Sequence, residues 1–213
     1  MLKYVAGIET LMASSAFPVI DVSSQQPLRS EPMGSKDKLG WLDIGSREWL
    51  FKYARPGTGE DWAEKLACEL AALIGLPHAG IELASHGDRR GLLSLAVTSV
   101  GDRLVHGNEL LMELMPDSAA HADQCKRPYR QARHTLDAIQ QALSGSRVPE
   151  GFRPTSSILM GFDVFVGYLM FDAWIGNTDR HHENWAVIER VDAQRNLVHL
   201  LAPTFDHATS LGA

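Results

Sequence analysis

The residues able to do chemistry concentrate in Asn177-Thr178-Asp179-Arg180-His181-His182-Glu183-Asn184 and in Phe205-Asp206. Asp179 is followed five residues later by the amide of Asn184, and Asp206 stands beyond them as a second acid. Phosphoryl transfer needs such a set: one carboxylate to receive a hydroxyl proton, and oxygen ligands for the magnesium ion that accompanies the phosphates.

The intervening chain supplies geometry. Residues 185–191 are rich in β-formers, 192–196 are turn-like, and 197–202 read as a second strand. A hairpin returns to where it began. Asn184, just before its first strand, and Asp206, just after its second, therefore meet at one open end. His181 and His182 are adjacent and face no common point from a helix or a strand, and no cysteine pair accompanies them, which argues against zinc.

Other elements must position this set. Residues 48–53 form a strand whose Lys52 is flanked by large apolar groups, and a lysine so placed points either to solvent or into a cleft to meet phosphates. The helix that follows, over 59–74, carries Trp62, Leu66, Leu70 and Leu73 at helical spacing, with Thr58 as a cap and Gly75 as terminator. Residues 76–83 and 91–100 add two strands. Ahead of them, residues 32–40 form a flexible basic segment in which Gly34 lets backbone N–H groups approach a phosphate, with Ser35, Lys36 and Lys38 beside it. Residues 2–7 and 17–22 read as short edge strands, 107–115 as a short helix, 129–143 as an amphipathic helix and 158–175 as a buried core helix.

N-x-D-R-H-x-x-N followed by F-D-x-x-x-S resembles the C-terminal half of the HipA-like serine/threonine kinases, and DRHxxN also occurs in phosphoinositide kinases. The resemblance implies a two-lobed α+β fold of the protein-kinase-like type, with ATP and Mg2+ as cofactors. It implies Asp179 as catalytic base, Asn184 and Asp206 as metal ligands, His181 as a structural member of the loop and Lys52 as the phosphate-holding lysine. An acid on the helix should orient Lys52: the apolar face favours Glu69, the family spacing favours Glu64, and Glu64 is preferred. Resemblance also places the adenine-binding connection at Thr98, Ser99 and Val100. The expected division is an N-terminal lobe over 1–100, with a small antiparallel sheet, and a partial, mainly helical C-terminal lobe over 101–213.

Composition sets the outer bounds. A 213-residue chain with 45% hydrophobic residues has length for a real core. Its net charge of -6 argues against a broad nucleic-acid surface, so no direct nucleic-acid binding is expected. Cys68 and Cys125 are far apart and outside any C-x-x-C motif, which fits a reducing cytoplasm, and no apolar stretch is long enough to span a bilayer. HipA-like kinases continue beyond the metal-binding acid with further helices, whereas this sequence stops seven residues after Asp206. The expectation is a truncated lobe with exposed apolar surface at Phe165 and Leu169, completed by a C-terminal partner or joined by an antitoxin. A protein serine/threonine kinase of the HipA-like type, as a component of a toxin module, is the leading function. A lipid or small-molecule kinase, and a nucleotide-binding module without turnover, are the alternatives.

Overall fold

A computed structural model describes residues 17–30, 37–114, 134–153 and 155–213. Within them the first sheet runs β1 (Val19–Asp21), β4 (Ile81–His86), β5 (Arg89–Leu95), β3 (Glu48–Tyr53) and β2 (Lys38–Asp43), in that spatial order. Alternation along β3 decides its two faces. Phe51 and Tyr53 join Leu42, Val22 and Leu93 in a core on one side, so Leu50 and Lys52 point to the other. Every pairing is antiparallel except β1 with β4, which is parallel, so the sheet is mixed at its edge.

Helix α1 (Glu60–Leu73) crosses β4 and β5, with Cys68 packed on Ile81 and Leu92. Glu60 and Asp61 occupy its first turn, where the helix dipole favours anions. Gly59, not Thr58, is its N-cap residue; the Thr58 hydroxyl instead donates to the carbonyl of Arg55. Gly75, at φ 72°, takes the left-handed conformation that ends the helix.

The second sheet is β6 (Arg103–His106), β7 (Ala186–Val191) and β8 (Leu197–Leu201), with β7 in the centre. The hairpin β7–β8 matches the sequence expectation, and β6 adds a strand that the sequence pattern did not show. Around this sheet lie α2 (Gly107–Glu113), α3 (Leu136–Ala142) and α4 (Gly161–Ile175). Their core gathers Leu110, Ile139, Leu143, Phe165, Tyr168 and Trp185. Phe165 is thus fully buried and Leu169 packs against the same core, contrary to the expectation of exposure. The outward face of α4 carries Val166, Met170 and Trp174.

Hydrogen bonds link the two sheets. The segment after α1 pairs with the segment after β8: Ala79 N–H donates to Thr204 O (2.9 Å) and Thr204 N–H to Pro77 O (3.0 Å). Asp102, after β5, accepts from Nε and Nη2 of Arg190 on β7, both at 2.8 Å. Among the described residues, no helix is long and apolar enough to cross a membrane.

Candidate active site

A cavity of about 360 Å³ opens between the two sheets. Lys38 and Lys52 line it from the first sheet; Asp179, Asn184 and Asp206 line it from the other side. Four separated stretches of sequence therefore converge on one space. Its volume falls in the range of small-molecule sites.

The loop carrying Asp179 is built by hydrogen bonds to itself. Gly176, at φ 67°, ends α4, and Asn177 then turns the chain by donating from Nδ2 to Asp172 Oδ1 (2.8 Å) and accepting from Asp179 N–H (3.3 Å). His181 N–H reaches Asp179 O at 2.8 Å, Asn184 N–H reaches His181 O at 2.9 Å, and Asn184 Nδ2 donates to Asp179 O at 2.7 Å. With its amide nitrogen committed, Asn184 has its oxygen as the end a cation would take. Glu183 N–H donates to His181 Nδ1 (3.1 Å), which puts the proton of the neutral ring on Nε2. That nitrogen lies 3.8 Å from Asp179 Oδ1, and the Asp179 side chain is half exposed to the cavity.

Asp206 approaches from the hairpin's other end. Its backbone sits at φ 60°, a left-handed conformation uncommon outside glycine and tolerated by Asp more than by most residues. Asn184 and Asp206 thus flank the hairpin as its topology requires, one before β7 and one after β8.

Lys52 pairs across the sheet with Leu92 on one side and with Lys38 on the other. Leu92 faces α1, so Lys52 rises on the same side of the sheet as that helix. Glu64 lies on the inner face of α1 with no exposed surface. Glu69 stands nearer the edge, in an ion pair with Lys65 Nζ at 2.6 Å, and Lys65 also holds Glu82 at 3.0 Å. Of the two acids, Glu69 has a cation of its own on α1 and Glu64 is the one turned inward.

The end of β5 walls the cavity through Ser94, Leu95, Ala96 and Val97. Thr98, Ser99 and Val100 stand beyond it, with Val100 wholly exposed. Ser99 N–H donates to Asp102 Oδ2 (2.8 Å), and Asp102 is held by Arg190, so this turn is drawn toward the second sheet. Gly34, Ser35 and Lys36 lie outside the described residues.

Sequence reasoning passed over Arg180, Asp172, Thr204 and His207. Arg180 and Asp172 form an ion pair with side chains only 6% and 7% exposed. Arg180 Nη2 also donates to Thr204 Oγ1 (2.9 Å) and lies 3.1 Å from His207 Nε2. Burial, and then the adjacent Arg180 charge, pushes His207 down to about 3, so its ring is neutral. The available signal was Asp172 itself, an acid well inside a mostly apolar helix.

The chain superimposes on the crystal structure of the Helicobacter pylori proinflammatory kinase CtkA with a TM-score of 0.66 and 19% identity, over 92% of this chain and 62% of that one. It also matches the Shewanella oneidensis toxin HipA, solved with HipB and operator DNA, with a TM-score of 0.56 and 14% identity over 94% of this chain and 48% of that one. The fold is the one these two structures share. No protein-family model and no curated protein matches the sequence. The chain spans between about half and three-fifths of the two structures' lengths.

Magnesium suits this donor set. A carboxylate and an amide oxygen on one cavity wall are hard ligands of the kind Mg2+ accepts while keeping phosphate oxygens and water. Among the described residues, no group of three or more His, Cys, Asp or Glu side chains is placed to hold a metal.

Proposed function

We propose that this chain is an ATP- and magnesium-dependent protein serine/threonine kinase of the HipA-like type, working in the cytoplasm as part of a toxin module. The observation that carries the proposal is the convergence of Lys52, Asp179, Asn184 and Asp206 on one cavity. Each has a role that follows from its chemistry. Lys52, with Lys38 beside it, holds the nucleotide phosphates, and Glu64 orients Lys52 from α1. Leu95, Ala96 and Val97 offer the adenine a wall of apolar side chains and backbone groups.

Asp179 takes the proton of the substrate hydroxyl as that oxygen bonds to the γ-phosphorus and the bond from phosphorus to the bridging β-oxygen breaks, releasing ADP. His181 keeps the Asp179 carboxylate oriented from its Nε2 side. Asn184 and Asp206 hold magnesium, which supplies charge neutralisation to the phosphates when bound. Little covalent chemistry is asked of the protein, and positioning and charge do most of the work.

HipA is seen with HipB on operator DNA. By analogy the partner proposed for this chain is an antitoxin that binds DNA in its place. Calorimetric titration of ATP, with and without Mg2+, tests the site. Magnesium-dependent binding should be present in the wild type and lost in Asp206→Asn; binding that survives unchanged in the variant overturns the assignment. Phosphate transfer to a protein hydroxyl, abolished in Asp179→Asn, is expected in the presence of the partner, and transfer only to lipid or small-molecule hydroxyls would replace the protein-kinase proposal.

A further inference from the structure

We propose that Arg180 is a positioning residue that sets the two metal ligands, Asn184 and Asp206, in register with each other. The inference rests on the kinase proposal above and deepens it. Arg180 does not line the cavity, and its side chain is 6% exposed, so it acts through the groups it holds. One planar guanidinium distributes its donors over both halves of the metal site.

Nε and Nη2 grip the two oxygens of Asp172 on α4, at 2.7 and 2.8 Å. Nη1 donates to the backbone carbonyl of Asn184, the first ligand, and to that of Phe205 at 3.3 Å, the residue immediately before the second. Nη2 also reaches Thr204 Oγ1 at 2.9 Å. The loop that carries Asn184 and the segment that carries Asp206 are 22 residues apart (206 minus 184) and meet here on one side chain.

The backbone of Asp206 gives this grip something to do. At φ 60° it is held in a conformation that a non-glycine residue leaves readily when its neighbours are loose. Arg180 fixes the carbonyl of Phe205 on the N-terminal side of Asp206. One residue earlier, Thr204 is anchored through its backbone to Pro77 and Ala79. Asp172 supplies the rigid base, because it sits on a well-packed helix and also accepts from Asn177 Nδ2. A point-like ammonium at position 180 would keep the charge for Asp172 but lack the fork that reaches both carbonyls.

The test compares wild type, Arg180→Lys and Thr204→Val, each assayed for binding of a fluorescent ATP analogue in EDTA and across a magnesium titration. Groups outside the metal's immediate ligands, when mutated, cost roughly tenfold or more in metal affinity, so the Mg2+ concentration for half-saturation should rise by about that factor in Arg180→Lys while binding in EDTA stays within about twofold. Thr204→Val, which removes the Oγ1 hydrogen bonds to Arg180 and His207 and keeps the shape, should move the same way by a smaller factor and decides the matter where Arg180→Lys fails to fold. A folded Arg180→Lys with wild-type magnesium dependence overturns the inference, as does an equal loss of binding with and without metal. A wild type indifferent to magnesium overturns instead the kinase proposal on which it rests.

Discussion

His207 shows how one buried ring ties the site to the stability of the whole. It is 3% exposed and accepts through Nε2 from Thr204 or Arg180. Burial, with the Arg180 charge beside it, lowers its pKa from 6.5 to about 3. The unfolded chain therefore binds a proton near pH 6.5 that the folded chain refuses. The stability tied to this ring is fully present above pH 6.5 and is lost as pH falls toward 3. Between pH 8 and pH 5 the loss from His207 alone is about 2 kcal/mol. His134, which accepts from the indole of Trp185 at 3.0 Å, is lowered to about 4 by burial and then by His182, and pulls the same way. Denaturant unfolding without nucleotide or metal, at pH 8 and pH 5, checks this. His207→Gln keeps an acceptor and cannot titrate there, so its loss over that interval should be smaller by about the same amount; an unchanged pH slope would mean His207 is not the group responsible.

At the scale of elements, the lysine strand depends on how closely β5 can approach it. Gly91 on β5 lies opposite Tyr53, and a Cβ there would stand 2.3 Å from the backbone oxygen of Lys52 and 2.8 Å from Phe51 Cζ. Backbone cannot rotate aside, so Gly91→Ala must push β5 away from β3 at the lysine. Overpacking of this kind costs about 1–3 kcal/mol, and ATP affinity should fall because the clash falls on the backbone of Lys52 in β3. Retention of both stability and affinity would show slack that the register does not suggest. β3 and α1 were legible because alternation and helical spacing are local signals. β6 was not: Arg103–His106 is short and its strand partner is β7, far along the chain, so nothing nearby announced it. The end of β5 was read at residue 100 and lies at Leu95 for a similar reason, since the bonds made there, from Leu95 N–H to Gly80 O and from Ala96 N–H to Glu48 O, go to distant backbone. Asp179, Asn184 and Asp206 were legible through spacing plus a hairpin. The grip of Arg180 was not, because its acceptors come together only in the fold.

Over the whole molecule, α4 is the element whose two sides differ most from what its sequence suggested. GFDVFVGYLMFDAWI is apolar nearly all round, so no periodicity identifies the inner face. The structure chooses: Phe165 packs edge-on against Tyr168 and Trp185, while Val166, Met170 and Trp174, one helical turn apart in succession, face outward with Met170 70% and Trp174 61% exposed. Leu159 and Met160, just before the helix, are exposed as well. An all-round apolar helix with one bare side is unusual for a protein alone in water, and such stripes attract other apolar surfaces. The chain should therefore bind a hydrophobic reporter dye in its folded state and associate as its concentration rises. Replacing Met170 and Trp174 by Lys should abolish both effects while changing unfolding stability by no more than about 0.5 kcal/mol per site, as expected for side chains outside the core. Dye binding and sedimentation on the two proteins measure this directly. If the wild type stays monomeric and binds no dye, the outward side chains of α4 shield one another; if the double variant loses much more stability, they belong to the core.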